Sequence, residues 1–276
     1  MLVMANDKAW KRYKILDIYM IPQTIHYCWF GSKEIPEKER RCIESWKVFL
    51  PHHSLQLWNE ENIESLHLPL YAKQAYEARN YAFLSDCVRT KVLYEYGGIY
   101  FDTDFELIKP IDEVLKTDKN ILGFETKSHI GTAIMAFSPK NEVMRQFLEY
   151  YETHLFISKG RKDIIANVSI LTDILKEQGL ICNRMMQTIG DILVYPRDYF
   201  FPKRLEDNKF LITENTLGIH RCSNSWMSVS QIARGNSYLW RKIVRPSLNA
   251  IRSVGQRILG KERIRTIEIY IRYLLK

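Results

Sequence analysis

Tyr96-Gly97-Gly98-Ile99-Tyr100-Phe101-Asp102-Thr103-Asp104 carries the reading of the fold. The glycine pair halts a helix, Ile99-Tyr100-Phe101 is a short run of strong β-formers, and the run ends in two carboxylates. A strand that is apolar at successive positions is buried on both faces, as in a sheet covered by helices. Upstream, residues 71–96 read as helical in two pieces broken near Asn80, with Ser85 as an N-cap candidate. Ile21 to Gly31 reads as another buried strand closed by glycine. Residues 36–49 read as a helix with Pro36 at its start and Pro51 beyond its end, and Ser54 to Trp58 as a second strand. Helix and strand signals alternate to about residue 200, which predicts an α/β fold, a sheet flanked by helices.

The chain has 276 residues, 46% hydrophobic and 26% charged, enough for one sizeable core plus an appendage. Residues 1–19 read as an N-terminal helical extension, 20–233 as the main domain and 234–276 as a basic tail. Cys28, Cys42, Cys87, Cys182 and Cys222 form no CxxC pair and are odd in number, which argues against a disulfide framework or a zinc site and favours a reducing compartment. No apolar run has the length of a signal core or a membrane span, so the expectation is a cytoplasmic protein, or one attached to a membrane from the cytoplasmic side.

The net charge of +8 is concentrated. Between Arg234 and Lys276 eleven Lys/Arg face only Glu262 and Glu268, and the rest of the chain is nearly neutral. Ile243, Leu248, Ile251, Val254, Ile258, Leu259, Ile264, Ile267, Ile271 and Leu274 recur there at helical spacing. The segment reads as basic amphipathic helices, broken near Pro246 and Gly260. Such helices lie on anionic membranes or pack on the body with a solvated face. A basic isoelectric point also raises nucleic-acid binding. The aromatics, however, gather around the acidic pair and not among the basic residues, which argues against that class.

In open α/β sheets ligands bind beyond the carboxyl ends of strands, where Asp102 and Asp104 fall. Two residues apart on a strand, both carboxylates point to one side. Paired hard oxygens suit Mg²⁺ or Mn²⁺, though an isolated Asp-x-Asp also fits a solvated turn. Asp86 and Arg89 are three apart and share a helix face: a carboxylate for hydroxyls and a guanidinium for phosphate, or simply a surface ion pair. His220, after the apolar Leu217 to Ile219, is a candidate further metal ligand.

Four segments in order, Ile25-His26-Tyr27-Cys28-Trp29-Phe30-Gly31, Ser85-Asp86-Cys87-Val88-Arg89, Tyr96 to Asp104 and Ile219-His220-Arg221-Cys222-Ser223-Asn224-Ser225-Trp226, resemble glycosyltransferase family 32. The resemblance implies a GT-A-like, Rossmann-like mixed sheet, a nucleotide-sugar donor, Mn²⁺ or Mg²⁺, and transfer with retention of configuration. It implies that Trp29 stacks on the nucleotide base, Tyr100 lies beside the nucleotide, Asp86 and Arg89 bind the donor sugar, and Asp102 sits near ribose and metal. It makes Asp104 the direct metal ligand, joined by His220, and it places Ser225 and Trp226 at the diphosphate. Gly131 to Met135 departs from the polar residues expected near the sugar. The implied activity is transfer of a hexose, galactose or glucose first, from a UDP-hexose to a capsular or other surface polysaccharide or a lipid-linked oligosaccharide. The inner membrane surface becomes a partner through the basic tail. An effector-type transferase acting on protein is the alternative.

Overall fold

A computed structural model describes residues 21–31, 33–158, 160–163, 165–203, 209–222, 237, 239, 243–260, 263, 264 and 267. The expected helical extension at 1–19 and the residues Ser225 and Trp226 lie outside the described residues. The chain divides into two compact units, Met1–Ser223 and Asn224–Lys276.

In the first unit the strands are β1 (Thr24–Cys28), β2 (Ser54–Trp58), β3 (Gly98–Phe101), β4 (Phe105–Leu107), β5 (Asn120–Gly123), β6 (Ile134–Phe137), β7 (Ile157–Ser158), β8 (Arg161–Lys162), β9 (Gln187–Ile189), β10 (Ile192–Tyr195) and β11 (Gly218–His220). The helices are α1 (Glu37–Phe49), α2 (Leu70–Glu77), α3 (Tyr81–Tyr96), α4 (Asp112–Leu115), α5 (Glu142–Thr153), α6 (Asn167–Glu177) and α7 (Arg197–Phe200). Seven strands form one mixed sheet in the order β2-β1-β3-β6-β5-β10-β9. β1 runs parallel to β2 and β3, β10 runs parallel to β5, and β6 is antiparallel to both its neighbours. The α/β expectation therefore holds.

Every residue of β3 is buried, because the sheet is covered on both faces. Tyr100 belongs to one buried cluster with Val88 and Leu93 of α3, Phe147 of α5 and Leu171 of α6. Its neighbours Ile99 and Phe101 point the other way, to Ile43 and Trp46 of α1, Phe105 of β4 and Phe200 of α7. The buried indole of Trp46 donates to the Phe105 carbonyl at 2.6 Å, tying α1 to β4.

Two sequence expectations need correction. Ser85 caps nothing: α3 begins at Tyr81 with Asn80 as its N-cap position, so Ser85 sits in the second turn. Asp102 and Asp104 are not on the strand. β3 ends at Phe101, and the two acids occupy a tight turn closed by the Phe105 amide donating to the Asp102 carbonyl at 2.8 Å. Their convergence comes from that turn and not from strand alternation.

The turn between α3 and β3 fixes where the acids emerge. Gly97 and Gly98 have φ of 64° and 95°, open to glycine. A Cβ on Gly98 would stand 2.6 Å from the Thr24 carbonyl of β1. The buried His26 of β1 closes this corner: its Nδ1 accepts from the Trp58 indole at 3.1 Å, and its Nε2–H donates to the Gly97 carbonyl at 3.0 Å. Both roles require a neutral ring. Burial lowers its pKa to about 4, with the Gly97 bond opposing.

In the second unit the helix α8 (Arg245–Leu259) carries Pro246 in its first turn and ends at Gly260, φ 81°. The helix thus starts beside Pro246 and stops at Gly260, the two positions where the sequence pattern breaks. Among the described residues no helix is long and apolar enough to cross a membrane.

The His26 corner sets a pH dependence. The unfolded chain protonates His26 near its ordinary 6.5, the folded chain only near 4. Between those values the unfolded state holds more protons, so stability is full above 6.5 and falls as the pH drops through 4. The variant His26→Gln, which keeps one donor and one acceptor, is expected to show a flatter melting temperature between pH 4 and 6.5 than the wild type. An unchanged slope would show that another group carries the effect.

Candidate active site

Arg89 stands in the third turn of α3, beneath the carboxyl end of β3. Its Nη2 lies 3.2 Å from Asp86 Oδ1 on its own helix and 2.9 Å from Asp102 Oδ1 beyond the strand. Its Nη1 donates to the Thr132 carbonyl at 2.8 Å. Its guanidinium covers the Tyr100 ring at 4.6 Å, and the Tyr100 hydroxyl donates to Asp102 Oδ1 at 3.3 Å. One cation thus joins a helix, a strand end and the segment entering β6. Burial disfavours its charge, but Asp102, Tyr100 and Asp86 outweigh that and hold its pKa well above the ordinary value.

Burial dominates for the acids. It raises the Asp86 pKa to about 7 against the pull of Arg89, and it raises Asp102 against the same pull. Asp86 gains a second partner at 2.6 Å, the Nδ2–H of Asn167 in the first turn of α6.

His220 reaches the site through a separate two-stranded ladder. β11 pairs antiparallel with β4, placing His220 opposite Phe105, one residue past Asp104, and the Arg221 amide donates to the Asp104 carbonyl at 2.9 Å. His220 Nε2 lies 3.4 Å from Asp104 Oδ1, and Nδ1 lies 3.6 Å from Glu125 Oε1. Arg221, next along, pairs with Glu106 and fastens the ladder from outside. Donor atoms of Asp102, Asp104 and His220 all fall within 4.8 Å of one another.

A divalent cation fits this set. Two carboxylates and an imidazole suit Mn²⁺ or Mg²⁺, and Glu125 on the far nitrogen is the kind of outer partner that orients a metal-bound histidine. Burial opposes a charged His220, but Asp104, Cys222 and Glu125 prevail and raise its pKa well above the ordinary value. A cation and that proton therefore compete for Nε2. Arg89 and Tyr100 engage Oδ1 of Asp102, while Asp104 faces His220.

The remaining sequence candidates spread outward. Tyr100 is buried, engaged with Arg89 and Asp102. Trp29 lies on a cavity of about 890 Å³ beyond the carboxyl ends of β1 and β2, with Leu57, Asn59, Glu60, Arg79 and Tyr81. Tyr81 opens α3 and so stands one helical turn before Ser85 and Asp86. Asn167, Glu125 and the Thr132 carbonyl were not among the sequence candidates. Glu125 follows β5 and was findable by the strand-end rule. Asn167 carries no local signal. Thr132 contributes backbone, which explains why the side chains of Gly131 to Met135 were uninformative.

Residues 36–121 match the family described as glycosyltransferase sugar-binding region containing DXD motif, a stretch that holds Asp86, Arg89, Asp102 and Asp104 but not Trp29 or His220. Over 136 residues the chain is 27% identical to inositol phosphoceramide mannosyltransferase 1 of Schizosaccharomyces pombe, covering 46% of this chain and 41% of that protein. It is 32% identical over 95 residues to lactosylceramide 4-alpha-galactosyltransferase of Rattus norvegicus, covering 33% and 25%. It is 32% identical over 87 residues to alpha-1,4-N-acetylglucosaminyltransferase of Homo sapiens, covering 30% and 24%. The chain spans between about a quarter and two fifths of these relatives' lengths. A solved structure titled PaToxG Glycosyltransferase aligns at a TM-score of 0.45 and 17% identity, covering 63% of this chain and 78% of that one. Across the region that carries the acids, the chain is similar to family 32 glycosyltransferases.

Two outcomes follow from this geometry. Arg89→Met leaves Asp86 and Asp102 without their cation, and urea unfolding is expected to show a loss of about 3 kcal/mol or more. Glu125→Gln is expected to weaken Mn²⁺ binding by roughly tenfold in titration calorimetry while leaving the fold intact. Unaltered Mn²⁺ affinity would remove Glu125 from the metal's outer shell.

Proposed function

We propose that the protein is a metal-dependent, retaining hexosyltransferase that uses a nucleotide sugar, a UDP-hexose with galactose or glucose first. The observation that carries the reading is the convergence of Asp102, Asp104 and His220 beside the Asp86–Arg89 pair. Bound there, Mn²⁺ or Mg²⁺ neutralises charge that builds on a departing diphosphate.

The chain's own residues do the rest. Asp104 and His220 hold the cation's position. Asp102, fixed by Arg89, would be available to the cation and to a ribose hydroxyl of the donor. Asp86, oriented by Asn167 and Arg89, accepts from sugar hydroxyls. Trp29 offers its ring to the base at the mouth of its cavity. The bond from sugar C1 to the diphosphate oxygen breaks, and a bond from C1 to an acceptor hydroxyl forms, the hydroxyl proton passing to the leaving diphosphate. No side chain is needed as a nucleophile; positioning and electrostatic stabilisation carry the rate.

Two of the similar proteins are named for glycolipid acceptors, an inositol phosphoceramide and a lactosylceramide. That supports a lipid-linked oligosaccharide or growing surface polysaccharide, such as a capsule, as the acceptor here. Such an acceptor puts the enzyme at the cytoplasmic face of the inner membrane.

The test is a panel of UDP-galactose, UDP-glucose, UDP-N-acetylhexosamines and GDP-mannose, each with Mn²⁺, Mg²⁺ or chelator, with and without a lipid-linked glycan. A UDP-hexose is expected to release UDP only with cation, and the combined Asp102→Asn, Asp104→Asn variant to lose about 10²-fold or more of that rate. Full activity in the double variant would end the proposal.

A further inference from the structure

Among the described residues the sugar chemistry uses nothing beyond β11, yet nearly half of their exposed large apolar side chains lie between 239 and 267. On α8, Leu248, Ile251, Val254 and Ile258 are 50%, 68%, 55% and 74% exposed. Their spacing of three, three and four residues lines them along one side of the helix. Val244 and Leu259 extend the stripe at its two ends, at 37% and 43% exposed. A fifteen-residue helix is about 22 Å long, too short to span a bilayer but suited to lying along one.

The helix ends are built, so the stripe is not a frayed accident. Pro246 pre-sets the first turn. Gly260 ends the last turn in the left-handed region, its amide bonded to the Gln256 carbonyl at 3.1 Å. Beyond it Ile264 folds back onto Gly255, where a Cβ would meet its Cδ1 at 2.7 Å. That contact leaves Ile251, Val254 and Ile258 exposed.

We propose that this stripe of α8 is a docking surface for an anionic lipid membrane. The sequence from Arg234 to Lys276 holds eleven Lys/Arg against two Glu. A second copy of the tail would meet like charge, which opposes self-association. A nucleic acid would satisfy the charge but not the branched aliphatic stripe, which gains nothing beside a phosphate backbone. A bilayer of acidic headgroups satisfies both: cationic side chains meet the headgroups and Ile, Val and Leu enter the acyl boundary. The inference stands on the helix itself and does not depend on the identity of the sugar donor.

The test is sedimentation of the full chain with phosphatidylcholine vesicles and with phosphatidylcholine vesicles containing phosphatidylglycerol. The wild type is expected to partition onto the anionic vesicles, less so as salt is raised. The combined Ile251→Asp, Ile258→Asp variant should partition roughly tenfold less or weaker still. An Ile181→Asp variant, changing an apolar residue exposed elsewhere, should bind as the wild type. Cation-dependent release of UDP from the donor should be the same in all of them. A chain that sediments with vesicles but turns over no donor would support this inference while sinking the proposed reaction. Equal partition of the double variant and wild type would overturn it. So would indifference to anionic lipid, or retention on RNA with none on vesicles.

Discussion

Everything at the site hangs on the buried guanidinium of Arg89. Three of its polar contacts come from separate places: Asp86 on its own helix, Asp102 past the end of β3, and the Thr132 carbonyl ahead of β6. Arginine suits the position because a rigid planar fork can serve several acceptors at once, whereas an ammonium serves one point. A cation this deep is costly alone, and so are the two acids; together they are tolerable. The arrangement also gives the two acids different partners. Asp102 is committed to Arg89, and Asp104 is turned toward His220.

A second constraint is topological. Asp104 and His220 are 116 positions apart in the sequence. The short β4–β11 ladder sets them side by side, and the Trp46 indole and the Ser45 hydroxyl brace β4 from α1. The ladder is brief, so its register matters: a one-residue slip would turn His220 away from the acids. The Arg221–Glu106 pair and the Arg221 amide bond to Asp104 hold that register at the His220 end.

These two constraints account for what could be seen in the sequence. Local signals were legible: Pro36 ahead of α1, the break at Asn80, the alternation of Ser54–Trp58, and the glycine pair that ends α3. The Asp86–Arg89 spacing was legible too, because helix geometry alone makes them neighbours. Ser85 misled, since a serine flanked by an apolar run resembles a cap even when helix formation starts four residues earlier. The Asp102–Asp104 turn misled in a useful way: the acids do converge, but through a β-turn whose chirality no two-residue alternation reveals. Asn167 and Glu125 stayed hidden because their roles arise only when α6 and β5 are packed beside α3 and β11. Burial of Asp86, the cause of its raised pKa, is likewise a tertiary fact.

Asp104 and His220, steadied by the Arg89-held Asp102, are proposed as the cation and diphosphate anchor. Anomalous diffraction from a crystal grown with Mn²⁺ and UDP tests it directly. One Mn²⁺ peak is expected within coordination distance of Asp104 and His220, next to Asp102, with the diphosphate on its open side. A UDP bound at Trp29 with its Mn²⁺ held elsewhere, or a diphosphate resting on protein side chains with no cation between these acids, would contradict it.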